Sequence, residues 1–131
     1  MNKTNEQNIS LIEKVDNLYF NLEELFHELD ETKKFELTPQ VTKRLYNIIT
    51  LYNDLKTELT KTYKIDLPRK TKDDPLTTMF SLIVDALTLV RSLYHGILNN
   101  SIDAETLSTL DNIMSRIERT ILFSYYFKFI P

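Results

Sequence analysis

A general acid or base and a charge stabiliser could stand one helical turn apart in Arg91-Ser-Leu-Tyr-His95. An imidazole titrates near neutral pH and can act as general acid or base, and a guanidinium beside it can hold developing negative charge. Glu24-Leu-Phe-His27 places a carboxylate and an imidazole three residues apart, a spacing that lets both reach one metal ion from a helix. A helical metal centre of that kind needs a second such unit, and the residue three before His95 is Ser92. Glu24 and His27 also fall on the polar side of the Leu22, Leu25 and Leu29 row, so neither metal nor cofactor is expected. The absence of cysteine removes disulfides, thiolate metal sites and thiol nucleophiles. A single glycine leaves no room for a phosphate-cradling loop. Lys61, Lys64, Arg69, Lys70 and Lys72 form a basic group that can meet phosphates. The net charge of −3 argues instead for a solvated face, and against a nucleic-acid partner.

On Arg91 and His95 alone, the chain resembles the HEPN ribonucleases, small helical bundles with an Arg and a His on one helix. The usual spacing in that family has four to six intervening residues, and this chain has three. What the resemblance implies is RNA cleavage by Arg91 and His95, which is the alternative to a non-enzymatic role.

The elements that must position these residues are legible in the apolar pattern. Leu11, Val15, Leu18, Leu22, Leu25 and Leu29 follow at three- and four-residue steps, as do Val41, Leu45, Ile48, Tyr52, Leu55 and Leu59. A third row runs Leu76, Phe80, Ile83, Leu87, Val90, Tyr94 and Ile97, and a fourth Leu107, Leu110, Met114, Ile117 and Ile121. Each row marks one side of a helix that water alone does not stabilise, and four such helices can bury one another. The expected fold is therefore all-α: a single-domain antiparallel, up-down-up-down four-helix bundle. Its helices span about 5–33, 39–64, 75–98 and 103–127, as two hairpins joined by a linker over 66–74. Thr38-Pro39 and Asp74-Pro75 read as cap-then-proline helix starts, and Asp103 as a cap stapled by Ile102 and Leu107. A second row in the first helix, Ile12, Tyr19 and Phe26, widens its buried stripe beyond a two-stranded seam.

Charge is segregated along the chain. Residues 1–32 hold eight acids and two bases, residues 33–72 ten bases and four acids, and residues 73–131 four bases and seven acids. In an antiparallel hairpin, Glu23 to Glu31 then meet Lys33, Lys34, Lys43 and Arg44. At the other end Glu6, Glu13 and Asp16 meet Lys56, Lys61 and Lys64. The polar N-terminus does not read as a signal peptide, and Asp85 interrupts the most apolar helix, so no membrane span is expected.

Two excesses remain. The third helix is apolar around most of its girth, which suits the most buried helix or one that faces a second copy. The fourth continues past its own stripe into Phe123, Tyr125, Tyr126, Phe127 and Phe129, more aromatics than one face can hold. Clustered aromatics dominate interface energetics. The expected function is a cytoplasmic protein-interaction module, an adaptor, inhibitor or immunity-type protein that binds a protein partner or forms a homodimer. Richness in Asn, Ile and Lys suits a low-GC bacterium, its phage or a mobile element.

Overall fold

A computed structural model describes residues 5–33, 35–67 and 78–129 of the chain, with side chains between 8 and 122. Four helices account for nearly all of these residues: α1 (Asn5–Thr32), α2 (Pro39–Tyr63), α3 (Met79–Leu98) and α4 (Ala104–Phe129). α2 starts as the sequence indicates: Thr38 Oγ1 accepts from the Val41 N–H at 3.1 Å, and Pro39 takes the first helical position. Asp103 caps α4, accepting from the Glu105 N–H at 3.3 Å and the Thr106 hydroxyl at 2.9 Å. α3 begins later than expected. Thr78, in extended conformation, is its cap and accepts from the Ser81 N–H at 3.1 Å. Asp74 and Pro75 lie outside the described residues.

Three helix ends turn through left-handed residues that are not glycine: Lys33, Lys64 and Asn100, with φ of 56°, 54° and 53°. After α3 the Ser101 N–H donates to the Gly96 carbonyl at 2.8 Å and the Asn100 N–H to Ile97 at 3.1 Å, so the last carbonyls are satisfied. Ile65 does the same for α2, donating to the Thr60 carbonyl at 3.1 Å. Gly96 is required by this tight return, because a Cβ there would lie 2.6 Å from the Ser101 carbonyl oxygen.

The helices surround one core. α1 packs on α2 and α3, and α4 packs on α3 and α2; α1 and α4 sit on one diagonal, α2 and α3 on the other. The α1–α3 contact is the most extensive and α2–α4 the least. The rows expected for α1, α2 and α4 are all buried, with Ile49 and Ile113 added. In α3 the row differs. Its core residues are Met79, Leu82, Ile83, Ala86, Val90, Leu93 and Ile97, while Phe80 is exposed and Leu87 and Tyr94 are half-buried. Periodicity selects no single face on a helix this apolar.

Helix directions also differ in one respect from expectation. The bundle is antiparallel and built from two hairpins, but α3 runs against α1. Phe26 near the end of α1 stacks on Phe80 at the start of α3, centroids 5.0 Å apart, and Asn8 donates to Asn100 at 3.5 Å at the opposite end. In chain order the directions are thus up, down, down, up. Every adjacent pair is antiparallel, and the connection from Tyr63 to Met79 joins opposite ends of the bundle. The reach suffices: fifteen intervening residues can extend to about 50 Å, whereas α3 is about 30 Å long.

Charges distribute accordingly. Arg44 faces Glu28 at 3.4 Å and Glu24 at 3.8 Å, as the antiparallel hairpin requires. At the other end none of the expected pairs lies within 4.0 Å among the described residues; the signs are reversed, with Lys14 on α1 bound to Glu58 on α2 at 3.0 Å. Lys56 turns instead to Asp111 on α4, at 3.1 Å. Tyr52, almost wholly buried, donates to the same Asp111 oxygen at 2.6 Å, and the Lys56 ammonium lies 5.6 Å from the centre of its ring. This polar triad ties α2 to α4 where their packing is thinnest.

Three variants test these assignments. Burial, reinforced by the Asp111 carboxylate, pushes the Tyr52 phenol far above its ordinary range. Above pH about 10 the unfolded chain releases a proton that the folded one retains, so stability falls with rising pH by up to about 1.4 kcal/mol per unit. Tyr52→Phe should lose about 1–2 kcal/mol near neutrality in urea unfolding and should show a weaker alkaline decline than the parent. Lys64→Gly should raise stability by about 1 kcal/mol by relieving the left-handed residue, whereas Gly96→Ala should lower it by about 1–3 kcal/mol by displacing the 99–103 turn.

Candidate functional site

Antiparallel packing of α1 on α3 brings together two rows with the same seven-residue step. Ile12, Tyr19 and Phe26 line the α3 side of α1, and Phe80, Leu87 and Tyr94 line the α1 side of α3. Phe26 meets Phe80 at one end of the seam, and further along Tyr19 and Tyr94 line one cleft. Seven residues make nearly two turns, so both rows stay on the seam over its whole length. Five of the six are half-buried, and they form a shoulder on the core rather than part of it.

Outside this ladder each helix carries a further row at the same step. On α1 it is acidic: Asp16, Glu23 and Asp30. On α3 it is Val84, Arg91 and Leu98, with Val84 37 % and Leu98 52 % exposed. Phe80 is 38 % exposed at the top of the seam. Between the layers a cleft of about 190 Å³ is lined by Val15, Asp16, Tyr19, Arg91 and Tyr94. Above them a second hollow is lined by Leu29, Asp30, Lys33, Phe35 and Phe80, where Lys33 pairs with Asp30 at 3.2 Å. The seam therefore has one apolar wall, one acidic rim and an arginine midway.

The sequence candidates fall in different places. Arg91 lines the cleft and His95, exposed, follows one turn later, its ring edge-on to Tyr94 with centroids 5.7 Å apart. Neither has an ion-pair partner within 4.0 Å among the described residues. Glu24 faces Arg44 while His27 lies edge-on to Phe26 at 5.7 Å. No group of three or more potential metal-ligating side chains occurs among the described residues. Lys61 and Lys64 are exposed at the end of α2. Arg69, Lys70 and Lys72 lie outside the described residues, as do the side chains of Phe123, Tyr125, Tyr126, Phe127 and Phe129. The backbone of α4 continues to Phe129, which makes α4 26 residues long against 20 for its hairpin partner α3.

α3 does reach the length and mean hydropathy, 1.3 over its most apolar window, that a membrane span requires by composition alone. It carries Asp85 and Arg91 and packs its buried row against α1 and α4, the behaviour of a bundle's core helix. Compared with known proteins, the chain matches no family model, no curated protein and no solved structure.

Proposed function

We propose that the chain is a non-enzymatic protein-interaction module, an adaptor, inhibitor or immunity-type bundle, that captures a protein partner through apolar surface. The observation that carries this reading is the exposed apolar edge of α3, Phe80, Val84 and Leu98, spread along the α1–α3 seam with Arg91 between them. Single exposed apolar residues are ordinary; aligned on one edge beside half-buried aromatics, they form a surface that loses water on association. The overrun of α4 beyond the length of α3 supports a second contact region in the aromatic segment 123–129. Exposed rim charges orient an encounter more than they hold it.

The experiment compares capture from the native host by the parent, by Val84→Asp/Leu98→Asp, and by a chain lacking residues 124–131. Both substitutions are at exposed positions, so the helical circular-dichroism signal should persist while a captured partner is lost. Loss of that signal on deletion of 124–131 would make the segment part of the core and confine the interface to the seam. RNA incubated with micromolar protein should remain intact. Cleavage that disappears in both Arg91→Ala and His95→Ala would replace this reading by an RNA-processing one.

A further inference from the structure

The α1–α3 seam has a charge pattern that specifies its occupant. On the α2 side of α1 the ionised groups are matched: Lys14 with Glu58, and Glu24 and Glu28 with Arg44. On the outer and α3-facing sides they are not. Glu13, Asp16, Glu23 and Glu31 have no cation within 4.0 Å among the described residues; of the cations described there, Lys33 is held by Asp30 and Arg91 lies across the cleft from Asp16. Asp16 and Asp30 share hollows with α3, whose wall is made by Phe80, Val84, Leu87, Tyr94 and Leu98 with Arg91 at its middle.

We infer that the seam binds a cationic amphipathic helix of the partner, with its apolar stripe on the α3 wall and its lysines or arginines along the acidic rim of α1. This rests on the protein-interaction reading and adds the chemistry of the partner. The dimensions are those of a helix: from Phe80 to Leu98 the wall is about 27 Å long, which corresponds to about 18 residues of partner. The unmatched Asp16 and Glu23 stand seven residues apart on α1, an interval at which the lysines or arginines flanking the stripe of a packed helix also recur. A second copy of this chain fits less well, since it would bring its own acidic rim against the same one.

The test uses a labelled synthetic 21-residue helix with leucine at two positions of each heptad and lysine at the two flanking positions, and a twin with glutamate in place of lysine. Fluorescence anisotropy should show the lysine peptide binding at least tenfold tighter than the twin, with affinity falling as salt rises. Asp16→Lys/Glu23→Lys should reverse the preference. Asp54→Lys/Glu118→Lys, an equal charge change on exposed positions of α2 and α4, should leave it unchanged. Val84→Asp/Leu98→Asp should abolish binding of both peptides. Equal binding of the twins, or equal effects of the two charge reversals, would overturn the inference while leaving an apolar interaction surface in place. Failure of the lysine peptide to bind would overturn it as well, and the host capture experiment would then decide the broader reading separately. Light scattering that shows a parent dimer dissolved by Val84→Asp/Leu98→Asp would assign the seam to a second copy instead.

Discussion

Everything in this bundle is arranged around α1, because its leucine row is buried while both of its shoulders carry a neighbouring helix. The shoulder toward α2 is held by ion pairs at both ends, Lys14 with Glu58 and Arg44 with Glu24 and Glu28. Each is partly exposed and worth at most about 1 kcal/mol. The shoulder toward α3 is aromatic and aliphatic and has the larger contact. Along this seam α3 runs against α1, with Phe80 at its start on Phe26 near the end of α1 and Asn100 beyond its end beside Asn8. The direction of α3 in turn fixes that of α4.

Where apolar residues confine themselves to one stripe, the sequence is a good guide to burial, and the rows of α1, α2 and α4 are those that periodicity picks out. α3 has apolar residues on nearly every side, so its pattern contains several rows of equal quality and the buried one cannot be chosen without its neighbours. The direction of α3 is open in the sequence for a similar reason: a 15-residue connection is compatible with a return to either end, and nothing in its composition distinguishes the two. The charge argument succeeded at Arg44, whose partners are on the adjacent helix. It failed at Lys56, whose carboxylate is on α4, far away in sequence. For the candidate site, Arg91 was visible as a chemical group but its surroundings were not. The signal that would have found the seam is the coincidence of two heptad rows, Ile12/Tyr19/Phe26 and Phe80/Leu87/Tyr94, in helices distant along the chain.

The α2–α4 side solves a different problem. With less packing there, its geometry is specified by a phenol and an ammonium that share one carboxylate oxygen. A buried hydroxyl tolerates few alternatives, because a shifted register would leave Tyr52 without an acceptor. Apolar contact is permissive about sliding, and this triad restricts it.

The crossing connection has an effect on the chain as a linear object. Its two ends lie at opposite poles of the bundle, so α1–α2 and α3–α4 are each local hairpins whose union is the only long-distance event in folding. Because the tie between them is a strand of chain and not a tight turn, a hairpin can complete its partner from a neighbouring molecule as readily as from its own whenever that tie is too short to span the bundle. The length of the connection between Tyr63 and Met79 thereby acts as a ruler that keeps assembly within one molecule.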